Sequence, residues 1–189
     1  IKVMALMGCK DSDAYLQASL YAYKLEPSAD AAVGCAAMAF KKGDIDGSVK
    51  FFDEAINLET DNAKKADNAY KAASVLASAK KLSQARSYAQ KAISFNENFG
   101  APYILIAQLY AGNYKWNDEP ALNKCTFFAA IDKLQRAKAV DPSVAEEANK
   151  LISSYSAYTP EAKDLFMLGY KAGDRITIGG WIGETTTIR

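Results

Sequence analysis

Apolar residues recur with a helical period along most of the chain. Residues 29–62 contain two such periodic stretches, and Lys42, Gly43 and Asp44 interrupt them where a short turn is expected. Residues 66–99 repeat this arrangement and align with the first segment without an internal gap. The pattern therefore predicts antiparallel helix pairs that recur along the chain.

Small residues mark corresponding places in the copies. The positions are Ala36, Ser48 and Ala55 in the first segment, Ala73, Ala85 and Ala92 in the second, and Ala107, Ala130 and Ala137 in a third copy at residues 100–142. The third copy carries about eleven extra residues between its helices, near residues 112–122. Because small side chains allow two helices to approach closely, we expect these positions to be buried at helix contacts.

These segments resemble the tetratricopeptide repeat, a motif of 34 residues with small residues in both helices and a closing proline. Pro27 and Pro142 fit the closing proline, and residues 1–28 resemble part of an earlier repeat, with residues 1–7 as the remnant of its first helix. The resemblance implies an all-α fold, a right-handed α-α superhelix of about three and a half repeats with capping helices.

The copies also depart from the repeat signature. None has the signature tryptophan, and Thr60 and Glu97 stand where prolines are usual. An unrelated helical bundle with chance self-similarity is the alternative fold. The gapless correspondence at the small positions favours the repeat.

The end of the chain is expected to cap the repeats. Asp141 and Pro142 have the features of a helix start, which predicts a capping helix that closes a first domain of residues 1–158. In a second segment, residues 159–189, Thr159 and Pro160 predict another helix start, with Gly173 as its end. This helix is apolar, so we expect it to dock on the capping helix.

The last fifteen residues change in composition, because they are rich in Ile and Thr and poor in alanine. We expect a short C-terminal β-hairpin packed on the repeats, with Gly183 and Glu184 as a two-residue turn and a bulge at Gly179 and Gly180. Residues 125–189 resemble the C-terminal region of tetratricopeptide proteins from Bacteroidetes. That resemblance implies a cell-envelope setting and no established activity.

The charge balance and the content of histidine and cysteine narrow the range of expected functions. Lys and Arg total 23 against 22 for Asp and Glu, so no strong field favours nucleic acid. Histidine is absent from the sequence, and Cys9, Cys35 and Cys125 form no metal-binding or disulfide pattern. We therefore expect no enzyme, no cofactor and no metal. The sequence contains no apolar run long enough to span a bilayer, and localisation stays open.

The tetratricopeptide resemblance implies that the first helix of each pair lines a concave groove. The groove candidates are Asp30, Val33, Ala37, Phe40, Lys41, Asp67, Tyr70, Lys71, Ser74, Ile104 and Gln108. Tyr70 is the strongest anchor candidate, since tyrosine offers area and a hydroxyl at low entropic cost. The apolar Val33 and Ala37 replace the polar donors with which related domains clamp a peptide carboxylate, so no such clamp is expected.

Two further regions carry candidate contact residues. Tyr114 and Trp116 in the insertion are either recognition aromatics or a cover for an exposed helix end. Trp181 in the tail is expected to serve packing.

The leading functional prediction is a scaffold or adaptor that binds a protein or peptide through the concave face. The alternative is a structural subunit of an envelope complex, or a self-associating protein, whose C-terminal hairpin is the interface. A nucleic-acid partner is not expected, and homo-oligomers are compatible with the sequence.

Overall fold

The computed structural model describes residues 12–189, so residues 1–7 and Cys9 lie outside the described part of the chain. The chain divides into two compact units, of which the first ends at Asn96 and the second begins at Glu97. The all-α class and the C-terminal hairpin expected from the sequence are confirmed.

Consecutive helices pack against each other in the first unit. They are α1 Asp13–Leu25, α2 Ala29–Lys41, α3 Ile45–Leu58, α4 Asn62–Ser78 and α5 Leu82–Phe95. Side-chain caps begin several of them: the Ser28 hydroxyl accepts the Ala31 N–H at 3.3 Å, and Asp44 accepts the Gly47 N–H at 2.8 Å. Such caps satisfy backbone donors that have no partner within the helix.

The small positions lie at the contacts between helices. Ala36 of α2 shares a buried cluster with Phe52 of α3 and with Ala72 and Val75 of α4. Every small position predicted from the sequence is fully buried in its unit, Ser48 included. The prediction of burial is therefore confirmed.

The turns within the two helix pairs of the first unit have the same hydrogen-bond pattern. The Gly43 N–H donates to the Phe40 carbonyl and the Asp44 N–H donates to the Ala39 carbonyl, each at 2.9 Å. The Lys80 and Lys81 N–H groups repeat these bonds to the carbonyls of Ala77 and Leu76. The left-handed residue is Gly43 with φ 78° in one turn and Lys80 with φ 60° in the other. Only glycine adopts that conformation without steric strain, so Lys80 is strained.

Helix α8 organises the second unit. The helices are α6 Gly100–Ala111, α7 Pro120–Lys124, α8 Thr126–Val140, α9 Ala145–Ser156 and α10 Ala162–Met167, with a 3-10 turn at Pro142–Val144 between α8 and α9. Helix α8 contacts α6, α7 and α9. The Asp141 carboxylate accepts the backbone N–H groups of Gly100 and Ser143, both at 3.1 Å, and so joins the start of α6 to the start of the 3-10 turn.

The expected bounds of α10 are wrong at both ends. Thr159 does not cap it: its hydroxyl donates to the Ser156 carbonyl at 2.8 Å, and the helix begins at Ala162. The helix ends before Gly169, whose φ is 84°, and not at Gly173. The Gly169 and Tyr170 N–H groups close it by bonding back to the carbonyls of Phe166 and Leu165 at 3.0 Å. Helix α10 contacts α7, whereas docking on the capping helix α9 was expected.

The hairpin is present, but its predicted turn is wrong. Strands β1 Arg175–Thr177 and β2 Thr185–Thr187 pair antiparallel, with Thr177 opposite Thr185. Residues 178–184 connect them, so Gly183 and Glu184 are not a two-residue turn, and Gly179 and Gly180 lie in this connection and form no bulge. The connection is long because its apolar side chains, Ile178 and Ile182, are buried in the unit. Strand β2 contacts α8.

Exchanging the residue types of the two turns tests the strain at Lys80. We expect Lys80→Gly to raise the free energy of unfolding by about 1 kcal/mol, and Gly43→Ala to lower it by about 1 kcal/mol. A Cβ atom at Gly43 would meet no neighbour within 4 Å, so the second cost comes from the backbone alone. Urea unfolding followed by circular dichroism measures both. If Gly43→Ala left the free energy of unfolding unchanged, the left-handed conformation at this turn would not carry the expected cost.

Enlarging a small position tests the helix contacts. Ala85 is fully buried on α5, and we expect Ala85→Leu to lower the free energy of unfolding by about 1–3 kcal/mol through overpacking. The neighbouring exposed Gln84 supplies the control, because Gln84→Leu adds the same side chain to the same helix and is expected to change stability by less than about 0.5 kcal/mol. Equal effects in urea unfolding would show that α5 is not closely packed at Ala85.

Candidate protein-interaction surfaces

The candidates on α2 differ in exposure. Asp30, Phe40 and Lys41 are exposed, whereas Val33 and Ala37 are half-buried and pack against core clusters of the first unit. Phe40 keeps 43% of its surface in water, which is unusual for so large an apolar side chain. The Lys41 ammonium pairs with Asp13 of α1 at 2.6 Å. Phe40 is therefore the large apolar side chain that α2 leaves exposed.

The candidates on α4 make more packing, ion-pair and hydrogen-bond contacts within their own unit. Tyr70 is half-buried and packs against the cluster of Ile56, Ala69 and Ala92, so part of its ring belongs to the core. Lys71 pairs with Asp67, one turn earlier, at 2.6 Å. The exposed Ser74 hydroxyl donates to the Tyr70 carbonyl at 3.0 Å.

The two candidates on α6, Ile104 and Gln108, differ in burial. Ile104 retains only 4% exposure and lies in the core of the second unit, so its interpretation as a contact residue is wrong. Gln108 is exposed and lines a pocket. Helical periodicity predicted which residues share a face, but α6 is apolar almost throughout, and periodicity alone therefore did not locate its buried side.

The insertion is held by side-chain hydrogen bonds. The Asn123 amide oxygen accepts the backbone N–H groups of Trp116 and Asn117 at 2.7 and 2.8 Å, and its nitrogen donates to the Asn117 carbonyl at 2.7 Å. The Trp116 ring lies against the backbone of Gly179, where a Cβ atom would come within 2.7 Å of the ring. Trp116 thus contacts the connection between the strands.

Trp181 packs within the second unit. Its ring meets that of Tyr110 edge-on at 5.6 Å. The Tyr110 hydroxyl donates to Glu184 at 2.6 Å, and Lys133 of α8 pairs with the same carboxylate at 2.8 Å. Asp132 of α8 accepts the Thr186 hydroxyl at 2.6 Å and also pairs with Arg189. These bonds attach the hairpin to α8.

An aromatic pocket opens on the second unit, with a volume of about 460 Å³. We call it the tyrosine pocket, and its lining residues are Gln108, Ala111, Gly112, Tyr114, Lys124, Phe127, Tyr155 and Tyr158. Phe127 is buried, and its ring stacks on Tyr158 at 5.4 Å and meets Tyr114 at 5.4 Å and Tyr155 at 5.9 Å. The size lies within the range of ligand pockets.

Sequence reasoning identified Gln108 and Tyr114 but missed Phe127, Tyr155, Tyr158 and Lys124. One signal was present: Tyr155 and Tyr158 are three residues apart, a spacing that would place both on one face of the capping helix expected from the sequence, although α9 ends at Ser156 and Tyr158 lies in the turn that follows. Their convergence with Phe127 depends on the packing of α9 on α8, which the sequence alone does not show.

The described cysteines are unsuited to nucleophilic chemistry. Cys35 and Cys125 are buried. Burial raises the pKa of the Cys125 thiol to about 11 and also raises the pKa of Cys35, so both stay protonated near neutral pH. Within residues 12–189, no group of three or more Cys, Asp and Glu side chains is placed to hold a metal ion.

Paired helices with fully buried small residues at their contacts define a helical-repeat protein, and its fold is of the tetratricopeptide type. One structure of MamA is similar, with a TM-score of 0.57 and 20% identity over 77% of this chain and 71% of that one. A second MamA structure has a TM-score of 0.54 and 15% identity over 87% and 91%.

YrrB, described as a TPR protein with an unusual peptide-binding site, has a TM-score of 0.57 and 19% identity over 89% of this chain and 79% of its own. No family model matches the sequence. No curated protein matches it either. Over the described residues, none of the helices combines the length and apolar character needed to cross a membrane.

Combining two substitutions tests the contact between Trp116 and Gly179. We expect Gly179→Ala to lower the free energy of unfolding by about 1–3 kcal/mol, because the added methyl group collides with the indole ring. In a Trp116→Ala background the collision partner is gone, and the cost should fall below about 0.5 kcal/mol. Urea unfolding of the four proteins gives the coupling. Equal costs in both backgrounds would rule out the contact.

Proposed function

We propose that the protein is a scaffold or adaptor that binds a protein or an extended peptide along the first-helix faces of its repeats, and that it catalyses no reaction. The repeats of this proposal are residues 29–62, 66–99 and 100–142. The tetratricopeptide fold supports it, as does the description of YrrB as a peptide-binding protein. A cell-envelope setting is part of the proposal and rests on the resemblance of residues 125–189 alone.

The exposed ring of Phe40 carries the proposal. Removing apolar surface from water stabilises a complex by roughly 25 cal/mol per Å², so a half-exposed phenyl ring is a source of binding energy. Lys41, next to Phe40 in the chain, is exposed and charged, which is typical of the polar rim of an interface, while the exposed Asp30 lies at the other end of α2. We therefore assign Phe40 the role of anchor that the sequence had suggested for Tyr70.

The chemistry of this face favours side-chain anchoring over capture of a chain end. Lys71 is already paired with Asp67, and Lys41 with Asp13. A carboxylate clamp needs several donors that converge on one ligand group, whereas each of these ammonium groups has its own carboxylate. The partner segment is therefore expected to contribute an apolar side chain to Phe40 and to make polar contacts around it.

The hairpin is the second candidate interface, as part of an envelope complex or in self-association. One observation favours it: Thr177, Thr185 and Thr187 are exposed, whereas Ile176 and Thr186 are buried, and the Thr186 hydroxyl donates to Asp132 of α8. The buried face makes the hairpin part of the unit, and the exposed strands offer backbone groups for pairing with another chain. Deleting residues 175–189 would remove the buried Ile178, Ile182 and Ile188 and expose the core surface that they cover, so unfolding of that truncated chain would report only packing.

Peptide selection on the full chain tests the anchor. Peptides selected from a phage-displayed random library are measured by fluorescence polarisation against the natural protein, Phe40→Ala and Leu58→Ala. Leu58 is the matched control, because its side chain is 44% exposed against 43% for Phe40. It lies on α3, which is the second helix of the same repeat and not part of the first-helix face. We expect Phe40→Ala to weaken binding at least about tenfold and Leu58→Ala to change it less than about twofold.

Two results would contradict the proposal. Equal losses in the two variants would mean that binding does not depend on the first-helix face. Selected peptides that keep their affinity for Phe40→Ala and lose it for the double variant Thr177→Lys with Thr185→Lys would instead identify the hairpin as the interface.

A further inference from the structure

The tyrosine pocket is a second feature of the surface that the first-helix proposal does not use. Its floor is the buried Phe127, and its wall is Tyr158, which remains 57% exposed although its ring stacks on Phe127. A volume of about 460 Å³ is more than one large side chain requires. Aromatic rings gain from edge or stacked contacts with another ring beyond the area that they bury, so these walls favour an aromatic or branched aliphatic guest.

Charge distinguishes the rim of the pocket from its walls. Among the described residues that line the pocket, Lys124 is the one with a charged side chain. The nearby Glu161 pairs with Lys163 at 2.8 Å, and Lys163 and, more weakly, the charge of Lys124 lower the pKa of Glu161; within the described part of the chain no carboxylate lies within ion-pair distance of the Lys124 ammonium. A single ammonium group at the edge of an apolar pocket attracts a carboxylate and repels a cation.

The insertion makes the pocket possible and holds it in shape. Tyr114 comes from residues that a regular repeat lacks, and its carbonyl accepts the Thr126 hydroxyl at 3.3 Å. The Asn123 amide fixes the chain immediately after it at Trp116 and Asn117. A wall that is ordered before binding costs less entropy when a ligand arrives.

We propose that the tyrosine pocket is a specificity subsite that takes an aromatic or branched aliphatic side chain of a peptide, with an adjacent acidic residue pairing with Lys124. The inference rests on the proposed function, since it assumes a protein or peptide ligand. It adds what the ligand must contain: a bulky apolar residue next to a carboxylate. Gln108 at the rim offers the peptide backbone an amide donor and acceptor.

Three capped dipeptides serve as probes: N-acetyl-Glu-Phe-amide, N-acetyl-Gln-Phe-amide and N-acetyl-Lys-Phe-amide. Each is titrated into the isotope-labelled full chain, and backbone amide shifts are followed by NMR. We expect millimolar binding that shifts the amides of Gly112 and Lys124, with the acidic probe about three- to fivefold tighter than the basic one. The neutral probe should lie between them.

Two variants separate the pocket from the rest of the molecule. Lys124→Glu changes an exposed side chain and should reverse the order of the acidic and basic probes. Tyr158→Ala should weaken all three probes at least about threefold. Its matched control is Tyr21→Ala, since Tyr21 is 65% exposed on α1, in the first unit, and its loss should leave probe binding unchanged.

The results distinguish this inference from the proposed function. Absence of shifts at Gly112 and Lys124, or an order of probes that Lys124→Glu does not change, would overturn the subsite. Binding of selected peptides that still depends on Phe40 would leave the scaffold proposal standing in that case. The converse result is that the probes bind in the expected order, acidic tightest and basic weakest, while the selected peptides bind Phe40→Ala as tightly as the natural protein. That result would retain the subsite and reject the first-helix face.

Discussion

The close approach of helices at fully buried small residues is the contact on which the rest of the structure depends. Ala36, Ala73 and Ala85 are fully buried, and Ala36 packs with the larger Phe52 of the next helix. Protein interiors are as densely packed as organic crystals, so such contacts fix the spacing of helices. Exposed residues such as Phe40 and Lys41 then follow from the helix positions.

In the second unit, the same principle works through α8. Its face of Ala130, Leu134 and Ala137 is fully buried, while Asp132 and Lys133 on the same helix receive the C-terminal segment. A two-stranded ribbon is marginal in water by itself. The apolar anchors Ile178 and Ile182 and the bonds of Glu184 and Asp132 supply what the short strands lack.

The repeat pattern was readable in the sequence because it depends on local rules. Caps such as Ser28 and Asp44, the turn at Gly43 and the small positions are all determined by a few neighbouring residues. The features that were mispredicted depend on distant contacts. The prediction of the hairpin turn was wrong because Ile178 and Ile182 are buried in the core of the unit. A two-residue turn would have kept both residues in the strands.

The candidate surfaces show the same limit. The resemblance grouped Asp30, Phe40 and Lys41 with Val33 and Ala37 on one helix face, but the first three are exposed and the last two are half-buried. It also did not separate Ile104 from Gln108 on the largely apolar α6. The aromatic cluster around Phe127 joins residues from three separate stretches of the chain. No periodic signal connects such residues, because their meeting is a product of tertiary packing.

The insertion after α6 has a consequence for how such a protein acquires new contacts. Ala107 and Ala130 remain fully buried on either side of it, so the extra residues have not disturbed the helix pair. Each doubling of a flexible loop adds only about 0.6 kcal/mol of closure entropy. A repeat can therefore lengthen its turn, gain residues such as Tyr114 and Trp116, and evolve recognition there while its framework stays under separate selection.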